Sequence, residues 1–253
     1  MTTAHVYAEP QVAPAARQRA GCAQCEVQEF TFCHTLAKAT ATSRLDELGP
    51  MPETLTVAPR RIVCREQDVL ANVPVICSGW AAAAVMLSDG SRQILSFLLP
   101  GDLVSAALLF EPRPHCFVEA ITEITYRTFD RADLKAAMFN NPDTAAKFAH
   151  LWIDEKKRAD AMIVDLGRRP ASERIARLIL GLVERLQHRN MTTDGACVEF
   201  PLRQHHIADA TGLTPVHVSK LLSEFRRNKL IRLSERSLAI LDPAGFRAVA
   251  NVR

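Results

Sequence analysis

Residues 203–223 read RQHHIADATGLTPVHVSKLLS, and this stretch decides the fold of the C-terminal third of the chain. It predicts two short helices joined by a tight turn. Gly212 stands where that turn needs a left-handed residue, a conformation that glycine adopts without a Cβ penalty. Thr214 is placed to cap the second helix, and Pro215 suits its first position, where a missing N–H needs no partner.

The apolar pattern of this stretch separates a helix-turn-helix from an ordinary helical hairpin, which is the simpler alternative. Ala208, four residues before the glycine, is small enough to let the two helices approach. Val218, six residues after it, fills the shared core, and apolar residues continue at helical spacing to Phe225. These offsets are typical of a DNA-binding helix-turn-helix.

The flanking residues favour the same interpretation. Arg226 and Arg227 begin a basic cluster, and residues 230–241 predict two short strands around residues 234–236, a β-wing. Residues 168–253 hold 15 Lys and Arg against 8 Asp and Glu, a net charge of +7. The rest of the chain holds 16 Lys and Arg against 20 Asp and Glu, a net charge of −4, so the whole chain carries +3. A basic winged helix attracts DNA phosphates, because its binding releases their counterions. The alternative interpretation of this positive charge is a solvated basic surface that binds no partner.

Length and composition indicate a globular protein. The 253 residues, 48% of them hydrophobic and 23% charged, suggest one large domain or two modest ones. No apolar run approaches the ~20 residues of a membrane span, and the N-terminal stretch MTTAHVYAEPQVAPAARQRAG lacks the apolar segment of a secretory signal. We therefore expect a cytoplasmic protein without a membrane partner, in which seven cysteines are thiols or metal ligands.

Three of those cysteines form a C-x2-C-x7-C motif. Cys22, Cys25 and Cys33 lie in a short polar segment that offers little core to bury them. Thiolates at this spacing suit an iron–sulfur cluster or zinc. We expect residues 1–40 to be a flexible N-terminus that carries this metal-binding motif. Buried free thiols are the simpler expectation for Cys64, Cys77 and Cys197.

Residues 41–141 predict a β-roll, or jelly roll, that serves as a sensor domain. Short strands TLTV, RRIVCRE, PVICSGWAAAAVML, SRQILSFLLPGDLVS, FVEAI and ITYRTF are separated by turn residues. Asp89-Gly90 is a hairpin signal, and the last two strands are expected to pair as one hairpin around Thr122-Glu123. Rolls of this kind enclose a ligand chamber or support an adjoining sensor.

Residues 142–167 predict one long amphipathic helix, and residues 168–253 a winged helix-turn-helix domain, which makes the fold α+β. The apolar stripe of the long helix must cover the roll of its own chain or pair with its copy in a dimer. We assign six stripe residues to dimerisation: Leu151, Trp152, Ala159, Met162, Ile163 and Leu166.

A β-roll, a long helix and a winged helix-turn-helix in this order resemble the CRP/FNR family of transcription regulators. The similarity covers roughly residues 45–245 and is carried by FLLPGDLVS, GRRPASERIARLI and HIADATGLTPVHVSKLLSEFRRNKLI. It implies a homodimer that binds a near-palindromic site in double-stranded DNA, with RNA polymerase as a further partner.

The N-terminal cysteines are similar to those of the FNR branch, whose members hold an oxygen-labile [4Fe-4S] cluster on three such cysteines and one from the roll. The resemblance implies that the intact cluster favours dimerisation and that oxygen or nitric oxide lowers DNA affinity. Arg127 stands at the usual fourth position, so the nearest candidate is Cys116. In the expected hairpin, Cys116 lies opposite about Phe129 and Arg127 opposite about Val118. Cys64 and Cys77 are weaker candidates.

The recognition helix departs from the family pattern. Members usually present a Glu and an Arg to a G·C pair, and the matching positions here are Val216 and Lys220, while Ser219 matches a common serine. Valine can contact a thymine methyl group, and lysine can reach guanine O6 or N7. The expected DNA contacts are Thr214, Pro215, Val216, His217, Ser219, Lys220, Arg226 and Arg227.

Other functions are disfavoured. After PGDLVSAALLFEPRP there is no Arg-Ser pair of the kind that grips a cyclic nucleotide in the family's other branch. We expect no enzyme, because the eight histidines form no close HxH or HxxxH pair and no nucleophile elbow or phosphate loop is present. The alternatives are a regulator of the same type that responds to another effector, or a metal-dependent β-roll enzyme.

Overall fold

The computed structural model describes residues 54–193 and 197–252. Within this part of the chain, the first seven strands form two antiparallel sheets. The strands are β1 (Thr54–Val57), β2 (Ile62–Cys64), β3 (Asn72–Ser78), β4 (Ala81–Met86), β5 (Arg92–Leu98), β6 (Phe117–Ala120) and β7 (Ile124–Asp130). One sheet has the order β1-β7-β3 and the other β2-β6-β4-β5. These sheets confirm the predicted β-roll.

The stretch PVICSGWAAAAVML, expected as one strand, forms two. Gly79 separates β3 from β4 with a φ of +76°, a conformation that other residues rarely adopt. A Cβ there would lie 2.1 Å from the carbonyl oxygen of Glu123, so the close approach of residue 123 also requires glycine. The hairpin at Asp89-Gly90 is confirmed, since β4 and β5 pair around it.

The expected hairpin of FVEAI with ITYRTF is wrong. β6 pairs with β2 and β4, whereas β7 pairs with β1 and β3 in the other sheet. Ile121 and Thr122 carry the chain between the sheets, and both of their N–H groups donate to the carbonyl of Trp80. Alternating apolar residues define which face of a strand is buried but not which strand lies beside it.

Helices follow the roll. A short 3₁₀ helix (Ala106–Leu109) precedes β6, and α1 (Arg131–Asn140), which the sequence did not predict, follows β7. The long helix α2 (Pro142–Arg168) begins where expected, because the Asn141 side chain accepts from two N–H groups of its first turn. It ends one residue later than predicted, just before Pro170, which cannot continue a helix.

The C-terminal unit contains four helices and four strands among the described residues. They are α3 (Ala171–Gln187), β8 (Thr192–Thr193), β9 (Cys197–Glu199), α4 (Gln204–Thr211), α5 (Pro215–Arg227), β10 (Ile231–Leu233), β11 (Ser237–Ile240) and α6 (Pro243–Val249). The sheet order is β10-β11-β9-β8. The antiparallel pair of β10 with β11 is the predicted wing, whereas β8, β9 and α6 were not predicted.

The alanines of β4 lie between two hydrophobic cores. Ala81 and Ala83 belong to the core of the roll, and Ala82 and Ala84 to a second core that includes the buried side chains of α3. In that second core, Trp80 of the roll meets Phe200 of the C-terminal unit edge to face, with 6.1 Å between ring centroids. The C-terminal unit therefore packs against the outer face of the roll. None of the described helices has the length and apolar character needed to cross a membrane.

Candidate nucleic-acid interface and interdomain chamber

The turn between α4 and α5 has the predicted geometry. Gly212 ends α4 with φ 64° and ψ 35°, in the left-handed region. The hydroxyl of Thr214 accepts a hydrogen bond from the N–H of His217 and so caps α5, which begins at Pro215. Local backbone chemistry therefore places the start of the recognition helix.

The inner face of α5 is buried as predicted. Val218 is fully buried, and Leu221, Leu222 and Phe225 are also buried in the core that α5 shares with α4. Ala208 of α4 is buried in the same core, where its small side chain allows close contact. These residues are structural and leave the opposite face of α5 free.

The outer face of α5 carries the predicted DNA contacts. Seven of the eight side chains are exposed: Thr214, Pro215, Val216, His217, Lys220, Arg226 and Arg227. Val216 is 80% exposed, so its side chain is open to solvent and takes no part in the core. Ser219 is half-buried, and its hydroxyl lies 3.2 Å from the Nε2 of Gln204, which donates to it. Ser219 thus links the two helices.

A groove of about 500 Å³ lies between the start of α4, the recognition helix and the wing. Arg203, Gln204 and Arg226 line it, together with Glu235 at the wing. Guanidinium and amide groups are common partners of phosphate oxygens. The groove can therefore receive a nucleic-acid backbone beside the recognition helix.

His206 has a structural role that sequence reasoning missed. Its Nδ1 accepts a hydrogen bond from the N–H of Arg203 at 3.1 Å, which completes the cap of α4. Burial, with the nearby His205, Arg92 and Arg203, lowers the pKa of His206 to about 3. Its place three residues after the N-cap Arg203 was the available signal, because a capping side chain often stands there.

A chamber of about 640 Å³ lies between β5, the loop after it, α2 and the end of α3. Its charged and titratable lining residues are Asp102, His115, Cys116, Lys147, His150, Glu155, Lys156, Arg158, Arg185 and Arg189. Cations outnumber carboxylates in this lining. Residues of the β-roll, of α2 and of the C-terminal unit all contribute to its wall.

Two carboxylates of the chamber have shifted pKa values in opposite directions. Burial opposes the charge of Asp102, but Arg185 and Arg189 hold its pKa below the ordinary value. Burial raises the pKa of Glu155, against the opposing influence of a hydrogen bond from the N–H of Ala106. Asp102 is thus a stable anion, and Glu155 takes up a proton more readily.

Cys116 lies on the chamber wall, but not where the expected hairpin would put it. Because β6 and β7 are in different sheets, Cys116 is not paired opposite Phe129, and Arg127 pairs with Thr54 and Val75 rather than Val118. Burial raises the pKa of the Cys116 thiol to about 11, with Glu66 and Glu155 adding to the shift.

The other cysteines divide between the described and undescribed parts of the chain. Cys64 is buried, and burial together with the nearby Cys116 raises its pKa to about 12. Cys77 and Cys197 are half-buried. The predicted ligands Cys22, Cys25 and Cys33 lie outside the described residues. Within residues 54–193 and 197–252, no three His, Cys, Asp or Glu side chains form a group that could hold a metal.

Four of the six side chains assigned to dimerisation are partly covered within this chain, and two are exposed. Leu151 and Trp152 pack partly against the core of the roll. Met162 and Leu166 line a groove of about 490 Å³ between α2 and α3. Ala159 is exposed, and Ile163 is 69% exposed, so this part of the stripe lies bare on the chain by itself.

Comparison with known sequences places these features in one family. Residues 54–141 match a cyclic nucleotide-binding domain, and residues 173–249 match a Crp-like helix-turn-helix domain. The nitrogen fixation regulation protein FixK of Azorhizobium caulinodans is 31% identical over 185 residues, which are 72% of this chain and 73% of that protein. FixK of Bradyrhizobium diazoefficiens is 29% identical over 229 residues, which cover 90% of this chain and 93% of that protein. The fumarate and nitrate reduction regulatory protein of Vibrio cholerae is 27% identical over 253 residues, which cover 94% of this chain and 96% of that protein.

A solved structure supports the same assignment at the level of the fold. FixK2 from Bradyrhizobium japonicum is 24% identical and superposes with a TM-score of 0.70 over 78% of this chain and 96% of its own. The relatives are transcription regulators rather than enzymes, in agreement with the sequence. With its β-roll, its exposed recognition helix and its similarity to FixK over most of both chains, this protein belongs to the CRP/FNR family of DNA-binding transcription regulators.

Proposed function

We propose that this regulator binds a near-palindromic DNA site as a homodimer and senses oxygen, nitric oxide or redox state through a [4Fe-4S] cluster. The proposed ligands are Cys22, Cys25, Cys33 and Cys116. One observation carries the sensing proposal. Cys116 lines the same chamber as Asp102, which accepts a hydrogen bond from Arg185 of the C-terminal unit. A change at this cysteine therefore has a short physical route to the DNA-binding surface.

The donor set fits such a cluster, because four thiolates are the usual ligands of [4Fe-4S] centres. Cys116 supplies a thiol on the chamber wall, and the C-x2-C-x7-C motif supplies three more. The raised pKa of Cys116 means that its thiol must lose a proton to bind iron, so ligation releases protons. When bound, the cluster supplies chemistry that is sensitive to oxygen and nitric oxide.

The DNA side of the proposal rests on the exposed face of α5. Val216 and Lys220 are both exposed there, and in this proposal valine contacts a thymine methyl group and lysine reaches guanine O6 or N7. Arg226 and Arg227 lie at the end of the same helix, where they can contact phosphates. The bare stripe around Ile163 is the proposed dimer contact, and RNA polymerase is the proposed partner at promoters.

Anaerobic purification with iron and sulfide analysis tests the cluster. We expect about four iron atoms and four sulfides per protomer and a brown colour that bleaches in air. Cys25→Ser and Cys116→Ala should each lose the iron, because a hydroxyl or methyl group cannot replace a thiolate. Cys197→Ser, a change in β9, is the matched control and should retain it. A Cys25→Ser protein that keeps its iron would exclude the cluster, and iron retained by Cys116→Ala would move the fourth ligand to Cys64 or Cys77.

A second candidate is a regulator of the same type with an anionic small-molecule effector. The cationic lining of the chamber favours it, since five Lys and Arg side chains face two carboxylates there. Thermal unfolding of metal-free protein with small organic carboxylates and phosphates tests this candidate. Stabilisation that disappears in Arg158→Ala would support it, and the absence of any shift would count against it.

A further inference from the structure

Asp102 joins the sensor domain to the C-terminal unit. It lies in the loop between β5 and the 3₁₀ helix, and its carboxylate accepts hydrogen bonds from Arg185 in the last turn of α3 and from Arg189 just after it. The distance from Arg189 Nη2 to Asp102 Oδ1 is 2.5 Å. The N–H of Leu99 also donates to this carboxylate at 2.7 Å. One half-buried side chain therefore holds two cations from the other unit.

Both arginines also bind the backbone of the same loop. Arg185 Nη1 donates to the carbonyl of Phe97 at 3.0 Å, and Arg189 Nη1 donates to the carbonyl of Pro100 at 2.6 Å. A guanidinium is planar, so hydrogen bonds to two different acceptors restrict its orientation as well as its position. The end of α3 is thus held at four points on residues 97–102.

The same loop is bound from two other directions. The backbone of Asp102 and Gly101 pairs with Ile76 of β3. The carboxylate of Glu155 on α2 accepts from the N–H of Ala106 at 2.9 Å. Residues 97–106 therefore connect the chamber wall, the proposed dimerisation helix and the first helix of the C-terminal unit.

A second polar contact lies on the other side of the shared apolar core. Arg92 of β5 binds Glu119 of β6 at 2.7 Å and Asp209 of α4 at 2.8 Å. Two separated contacts resist rotation of one unit on the other better than a single contact. Neither of them uses the outer face of α5, where Val216 is 80% exposed. The observed orientation therefore leaves the recognition surface open.

We propose that Asp102, Arg185 and Arg189 are positioning residues that fix the orientation of the DNA-binding domain on the sensor. The proposal rests on the proposed binding of DNA as a dimer, but not on the identity of the effector. A dimer that reads two half-sites needs its recognition helices about one helical turn of DNA apart. Buried ion pairs add little net stability, but they can hold a single geometry. Whatever changes the chamber wall then acts on the DNA-binding domain through residues 97–106.

Full-length Asp102→Asn protein tests this role with a site obtained by selection from random DNA. Affinity is measured for the complete site, for a probe with one half-site scrambled, and for sites with one base pair added or removed between the half-sites. We expect about a 10-fold loss on the complete site, little change on the single half-site, and a flatter dependence on spacing. Arg247→Ala, which removes a surface ion pair with Glu184, is the control and should behave like the wild type.

The double variant Arg185→Gln/Arg189→Gln removes the same contact from the other side. Adding Asp102→Asn to this double variant should cause no further loss, because Asp102 then has no arginine left to hold. Equal losses on the complete site and the single half-site, or an unchanged dependence on spacing, would overturn the positioning role. Tighter binding by Asp102→Asn would also overturn it and would make the contact autoinhibitory. A wild-type protein that does not prefer the complete site would instead refute the dimeric binding on which the proposal rests.

Discussion

The helix-turn-helix and the long helix α2 both carry an apolar stripe at helical spacing, but the described chain covers only one of them completely. In α5 the stripe from Val218 to Phe225 is buried, and Val216 stands alone on the outer face. In α2 the stripe is buried at Phe148, half-buried at Met162 and Leu166, and exposed at Ala159 and Ile163. The outer face of α5 thus presents one isolated valine to water, whereas α2 presents Ile163 beside apolar neighbours that are only partly covered.

The difference separates two kinds of recognition. A single exposed valine among cations suits one thymine methyl group on a polar, wet DNA surface. An exposed isoleucine flanked by partly covered apolar side chains has no such polar partner, and its burial requires another apolar surface. The two helices should therefore respond differently to substitution, with the largest effect in the buried stripe of α5.

The buried stripe of α5 should tolerate a charged substitution far less well than the outer face of the same helix. Val218→Asp buries an unpaired charge in a fully enclosed site and should lower the free energy of unfolding by about 3 kcal/mol or more. Val216→Asp, two residues away on the exposed face, should change it by less than about 0.5 kcal/mol. Urea unfolding of both variants measures the two free energies of unfolding. Similar losses of stability would show that the outer face of α5 is packed against the rest of the chain.

The bare stripe of α2 should be needed for self-association. Ile163→Glu places an unpaired carboxylate in each half of a symmetric interface and should weaken dimerisation at least about 100-fold. Lys157→Glu also introduces a carboxylate on α2, but at an exposed position off the stripe, and should leave the dimer intact. Sedimentation over a range of concentrations compares them; an Ile163→Glu protein that stays dimeric would remove α2 as the contact.

The outer face of α5 should separate base reading from phosphate binding. Lys220→Ala should lose about 10-fold in affinity for the selected site and relax its base preference. Arg226→Ala should weaken binding to all sequences alike and reduce the slope of log K against log salt by about 1. Titrations at several salt concentrations distinguish the two roles, and identical behaviour of both variants would contradict the assignment.

The buried cap of α4 should make the stability of the DNA-binding domain sensitive to pH. The imidazole of His206 binds a proton near pH 6.5 in the unfolded chain, but its folded pKa is about 3. The unfolded state therefore binds more protons between these values, and stability falls as the pH drops from 6.5 towards 3. His206→Asn keeps an acceptor for the N–H of Arg203 but cannot titrate. Its thermal midpoint should vary less between pH 7 and 5 than that of the wild type; an equal slope would assign the effect to other groups.

Local chemistry explains which structural features the sequence could predict. The left-handed Gly212, the Thr214 cap and the start of α2 at Asn141-Pro142 each depend on the side chain and its immediate neighbours. The expected hairpin of β6 and β7 failed because strand pairing depends on distant partners. The cap made by His206 is a local contact, but the low pKa of its imidazole also depends on burial and on Arg92, which the folded chain brings to it.

The amino-acid sequence by itself determined the order of the units, the helix-turn-helix with its inner and outer faces, and the family. These follow from periodicity, capping and turn residues, which act over a few positions. Only the tertiary structure decided that Cys116 faces a chamber and that Asp102 holds Arg185 and Arg189, more than 80 residues further along the chain. Such contacts depend on how the C-terminal unit packs against the roll, because only that packing brings Arg185 and Arg189 to Asp102.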